Sequence, residues 1–122
     1  MSDFTVSTGL PVLEPVAAAA RHRAGALLVD VRGLPNRAAN GTIPGAVVVD
    51  RTRLAELFTG AEPLAARDRE IVVICGGEGG SGEVGRRLVG LGFPNVSHVR
   101  GAFPAWRDAG LPVDAPSGGG SA

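Results

Sequence analysis

The stretch IVVICGGEGGSGEVGRRL, residues 71–88, holds the only cysteine of the chain, Cys75, at the edge of a glycine cluster. Five apolar residues in a row, closed by glycine, read as a strand over 71–75 covered on both faces. Beyond the glycines, Val84, Leu88 and Leu91 recur at i, i+4 and i+7, one face of a helix over 81–92. Glu83 near its start and Arg86 and Arg87 further along suit the helix dipole. The order is therefore strand, glycine loop, helix. Such a loop can cradle a phosphate, with the cysteine incidental, or it can be built around the cysteine.

Gly77-Glu78-Gly79-Gly80-Ser81-Gly82 matches the GxGxxG pattern of dinucleotide binding, in the expected strand-to-helix context. A segment this rich in glycine meets that pattern cheaply. The carboxylate that should hold a ribose about 20 residues later is missing; that region reads SHVRGAF, with no acid between Glu83 and Asp108, and too little chain remains for a nucleotide-binding sheet. A Walker-type loop is excluded because the chain has no lysine.

The second reading starts from Cys75, the last residue of its strand. In a parallel α/β sheet, sites form beyond the carboxyl ends of the strands. There the N–H groups of Gly76, Gly77, Glu78, Gly79, Gly80 and Ser81 can converge as an anion nest backed by the positive end of a helix. A sulfur in that concavity is favoured as thiolate, the nucleophilic form. The competing structural reading is an inert core cysteine. Strand-end placement, glycine loop and following helix together favour the functional one.

Outward from this segment, strands and helices alternate. PVLEPVAAAARHR (11–23) reads as an alanine-rich helix closed by Gly25. ALLVDVR (26–32) and AVVVD (46–50) read as strands. The Gly-, Pro- and Asn-dense 33–45 between them reads as a loop with one helical turn at Asn36–Asn40. RTRLAELF (51–58) is helical, 59–70 a partly helical connection, NVSHVR (95–100) a strand and AFPAWRDAG (102–110) a short helix. The expected fold is a three-layer α/β domain: a mostly parallel sheet of about four to five strands with helices on both faces. Residues 1–114 form that single domain, and the Gly/Ser-rich 115–122 are expected to be a disordered tail.

Composition narrows the function. The 122 residues are 44% apolar and 20% charged, a globular composition. Twelve basic residues, all arginine, balance 12 acidic ones, so charge gives no reason to propose nucleic acid or a membrane as partner. One cysteine excludes a disulfide framework and a cysteine-based zinc site, and His22 and His98 lack ligand spacing. Nothing in the sequence demands a metal or organic cofactor. A free thiol without an export signal points to the cytoplasm.

Several segments, taken in order, resemble the rhodanese-like family. LLVDVR (27–32) is similar to its Asp-x-Arg strand, and NGTIPGAVVVD (40–50) to its Gly-His-Ile-Pro-Gly-Ala segment. VVICGGEGGSGEVGRRLVGLGFPNVSHVRGAFPAW (72–106) is similar to its cysteine strand, loop, helix and closing motif, and AGLPV (109–113) to its end. The likeness spans about 11–113 and is greatest to single-domain actinobacterial members, which share an Arg at position 37.

The resemblance implies sulfurtransfer. Cys75 would take the outer sulfur of a donor such as thiosulfate, become a persulfide, and pass that sulfur to cyanide or to a thiol, including a protein thiol. Gly76, Gly77, Glu78, Gly79 and Gly80 would hold the persulfide by backbone N–H bonds; Ser81 and Arg32, together with Arg37 and Arg51, which follow strand ends, complete the expected substrate-binding set. Arg53 also follows a strand end and could supply positive charge. Asp30 would support Arg32, a pair read as mainly structural, and Trp106 would be core.

Three positions depart from the family pattern. Gly80 stands where an Arg is frequent, Thr42 where a His is frequent, and Glu78 adds an acid to the loop. The lost guanidinium would have bound an anionic donor. The departures motivate an alternative: a non-catalytic regulatory or persulfide-sensing module. Cys-x5-Arg phosphatases, of the same fold class, need an Arg at position 81, which is serine.

Overall fold

The computed structural model describes residues 10–115. Along the chain come β1 (Val12–Leu13), α1 (Pro15–Arg23), β2 (Leu27–Asp30), α2 (Leu34–Asn40) and β3 (Val47–Val48). A 3-10 turn (Arg51–Arg53) then runs into α3 (Leu54–Thr59), followed by β4 (Ile71–Ile74), α4 (Glu78–Gly90), β5 (Val96–Val99) and α5 (Ala102–Asp108). The five strands form one sheet in the order β1-β5-β4-β2-β3. Every pair is parallel, with Leu27 opposite Ile71 and Asp30 opposite Ile74 in the central pair.

This order places the site. From β2 the chain moves outward to β3, whereas from β4 it moves the other way, to β5. The connections leave neighbouring strands in opposite directions, so a crevice opens at the carboxyl ends of β2 and β4. Arg32 and Cys75 lie just past those ends.

Strand alternation then decides which layer each side chain enters. Ile71, Val73 and Cys75 face one core with Val29, Val31, Leu54, Phe58, Val84 and Leu88, beneath α3 and α4. Val72, Ile74 and Leu28 face the other, with Ala18, Ala19, Phe103 and Trp106 from α1 and α5. The central strand is thus buried on both sides, as its unbroken apolar run requires.

Several sequence expectations shift. Val12–Leu13 pairs with β5 as an edge strand, and the first helix begins only at Pro15, which occupies its first turn. Residues 34–40 form a full short helix, again with proline in the first turn, where a missing N–H costs nothing. Of the 59–70 connection only Thr59, the last residue of α3, is helical. Most consequentially, α4 starts at Glu78, three residues before the expected 81. The glycine loop shrinks to Gly76 and Gly77, while Gly79 and Gly80 belong to the first helical turn. Residues 116–122 of the expected tail lie outside the described residues.

Candidate active site

Cys75 ends the buried strand and is 7% exposed. Its carbonyl accepts the Phe103 N–H at 2.9 Å, which ties the strand end to the first turn of α5. Gly77 caps α4 with extended backbone (φ −141°, ψ 153°), and its carbonyl accepts from the N–H groups of Gly80 and Ser81. Among the described residues the N–H groups of Gly76, Gly77, Glu78 and Gly79 have no acceptor within the protein. Free N–H groups at a helix start beside a sulfur make an anion-binding concavity. It is built from fewer residues than the sequence suggests, because Gly80 and Ser81 spend their N–H groups inside the helix.

Arg51 completes it. Its Nη2 donates to Cys75 Sγ at 2.9 Å. Asp50 sets its position by capping the 3-10 turn: the carboxylate accepts from the Thr52 N–H at 2.9 Å and from its hydroxyl at 2.7 Å. Those bonds, the hydroxyl first, hold the Asp50 carboxyl below the usual carboxylate range. The Arg87 guanidinium anchors the Arg51 carbonyl at 3.3 Å. Gly80 supplies the room, since a Cβ there would lie 3.0 Å from Cys75 Sγ and 3.3 Å from Arg51 Nη2.

A cavity of about 330 Å³ adjoins this contact, lined by Val31, Leu34, Arg37, Val49, Asp50 and Arg51 among others. Arg37 gives its Nε–H to the Arg32 carbonyl at 3.1 Å. No carboxylate among the described residues pairs with Arg37 or Arg51. Arg53, by contrast, is exposed and paired with Glu56 at 3.0 Å.

Arg32 also lines this cavity. Its side chain is on the α1/α5 side, 3.8 Å over the Phe103 ring, and fully buried. Its Nε and Nη2 meet both oxygens of Asp30, Nη2 also reaches the Gly41 carbonyl, and Nη1 reaches Asn36 Oδ1. Every guanidinium nitrogen is engaged, so the Arg32–Asp30 pair braces the crevice floor. Asn36 was not singled out by the sequence. It links this brace to the loop, because a Cβ on Gly76 would lie 2.9 Å from its Nδ2.

Glu78, in the first turn of α4, binds the cap of α5. Glu78 Oε1 accepts the Gly101 N–H at 2.7 Å. The first turn of α5 therefore grips both flanks of the loop, Cys75 through Phe103 and Glu78 through Gly101. Ser81 is buried and its hydroxyl meets His98 Nδ1 at 2.9 Å. Burial pushes the His98 pKa down; Glu78 opposes this, while Arg86 and Arg100 add to it. Thr42 exchanges backbone bonds with Asp114. Gly41 before it has φ +94° and passes so close to Asp114 that no Cβ fits. Trp106 is core, its Nε1–H donating to the Pro112 carbonyl at 3.0 Å.

The sequence model of the rhodanese-like domain matches residues 15–109. The chain belongs to the rhodanese-like family. The thiosulfate sulfurtransferase GlpE of Pseudomonas syringae is 35% identical over 95 residues, covering 78% of this chain and 85% of that protein. Among solved structures, a Rhodopseudomonas palustris protein described as a possible tyrosine phosphatase superposes with a TM-score of 0.75 at 29% identity, covering 86% of this chain and 85% of that one. The human single-domain sulfurtransferase TSTD1 shares the fold, with a TM-score of 0.69 at 22% identity over 82% of this chain and 97% of its own. No helix among the described residues is long and apolar enough to cross a membrane.

Proposed function

We propose that this rhodanese-like chain is a sulfurtransferase that carries sulfur as a Cys75 persulfide. The observation that carries the reading is the seating of Sγ. It stands at the sheet's switch point, 2.9 Å from the Arg51 guanidinium and at the start of a turn whose N–H groups at 76–79 have no acceptor among the described residues. In the first step the Cys75 thiolate attacks the outer sulfur of thiosulfate. A new S–S bond forms, the donor's own S–S bond breaks, and sulfite leaves with the electron pair. In the second, an acceptor thiolate or cyanide attacks the outer sulfur and the Cys75 thiolate departs. The persulfide intermediate and the departing thiolate are both anionic sulfur, the species N–H donors and a cation stabilise. Arg37, on the same cavity wall as Arg51, would hold the far end of an anionic donor.

The non-catalytic alternative rested on the missing loop cation and on Glu78. A cation now reaches the sulfur from another loop, and the Glu78 carboxylate is satisfied by Gly101, which supports the catalytic reading. A thiol nucleophile suits a reducing compartment, so the cytoplasm is the proposed location. The test is thiocyanate formation from thiosulfate and cyanide, with the ping-pong kinetics of a covalent intermediate. Cys75→Ser is expected to abolish it. Turnover that survives this substitution would overturn the reading.

A further inference from the structure

Resting on that reading, we propose that Arg51 is a catalytic residue of the transfer and that Gly80 is the position that admits it. The bond balance of the first step brings a thiolate and a doubly charged thiosulfate together and leaves a persulfide anion beside sulfite. Charge of one sign is therefore concentrated around Sγ throughout. The N–H groups of the loop offer only partial positive charge. Of the arginines nearby, Arg32 is neutralised by Asp30 on the opposite layer and Arg53 by Glu56 at the surface. Arg51 touches the reacting atom itself.

Three features keep it there without a carboxylate partner that would cancel its charge. Asp50 spends its carboxylate on Thr52, Arg87 holds the Arg51 carbonyl, and the space the guanidinium enters is the space a side chain at 80 would need. The planar guanidinium presents several N–H donors along one edge. It can therefore keep contact as negative charge passes from Sγ to the outer sulfur. Positions 51 and 80 form a coupled pair: a side chain at 80 competes with the cation for the sulfur.

The test compares the native protein with Arg51→Ala, Arg51→Lys, Gly80→Ala and, as control, Arg53→Ala. The first readout is the ratio of Cys75 alkylation rates with iodoacetate and with neutral iodoacetamide, which reports the potential at the sulfur without needing sulfurtransfer. The second is kcat/KM for thiosulfate. Arg51→Ala is expected to lower the ratio at least about fivefold, the effect of removing one nearby unit charge. It should lower kcat/KM at least about tenfold. Arg51→Lys should fall between, Gly80→Ala should move both readouts in the same direction as Arg51→Ala, and Arg53→Ala should leave both within about twofold. An Arg51→Ala ratio or kcat/KM within about twofold of native overturns the proposal. If the native protein makes no thiocyanate, the sulfurtransfer reading fails separately, and the alkylation ratio alone decides whether Arg51 governs the sulfur.

Discussion

Asp30→Ala is expected to destabilise the fold far more than its loss of a few atoms suggests. Arg32 and Asp30 are both essentially without solvent exposure, their side chains at 0% and 1%. Asp30 accepts from the Arg32 backbone N–H at 3.0 Å and from its side chain at 2.8, 3.1 and 3.2 Å. Removing the carboxylate strands a guanidinium above Phe103 with only Asn36 and Gly41 as acceptors. Breaking a buried pair from one side costs about 3–5 kcal/mol. A domain of this length has roughly 6–18 kcal/mol in hand, so the variant should still fold. With a urea slope of about 1–3 kcal/mol per molar, its midpoint should drop by at least about 1 M. The double variant Asp30→Leu/Arg32→Met should recover most of the loss, because no charge is then left unpaired. Equilibrium urea unfolding, followed by circular dichroism, measures both. A loss below about 1 kcal/mol for Asp30→Ala, the range of an exposed pair, would refute the reasoning.

Two further outcomes follow from the loop's surroundings. Glu78→Gln keeps an acceptor for the Gly101 N–H and should leave thiosulfate turnover within about twofold, whereas Glu78→Ala should lose about 0.5–1.5 kcal/mol of stability with that exposed bond; a large rise in turnover for Glu78→Gln would mean the carboxylate repels the donor. Because burial depresses the His98 pKa below its unfolded value, the unfolded chain takes up that proton first as the pH falls. Stability should therefore decline below about pH 6.5, by at most about 1.4 kcal/mol per pH unit from this group. His98→Gln should flatten the melting-temperature profile between pH 7.5 and 5.5, and an unchanged slope would remove His98 as its source.

What the sequence discloses and what it hides divide along physical lines. The apolar run 71–75 and its parity are local, so the central strand and the layer Cys75 enters are legible without a structure. Parity equally sends Arg32 to the opposite layer, but the pattern Asp-x-Arg alone does not say which arginine is neutralised. The sequence puts the start of α4 too late because glycines carry poor helix propensity; Gly79 and Gly80 are helical because the packed helix behind them outweighs it. Arg51 is one of several arginines following strand ends in the sequence. Only the parallel sheet, which sets the carboxyl ends of β3 and β4 on one edge with β2 between them, brings it, rather than Arg53 two residues on, to the sulfur. The same holds for Ser81 and His98, which meet because α4 packs against β5.

The central claim is that Cys75 holds the transferred sulfur. Incubation of the native protein with thiosulfate, followed by an intact mass measured without reductant, tests it most directly. The expected result is a species heavier by one sulfur atom, absent in Cys75→Ser and discharged by cyanide with release of thiocyanate. An unshifted mass, or the same adduct on the Cys75→Ser protein, would contradict it.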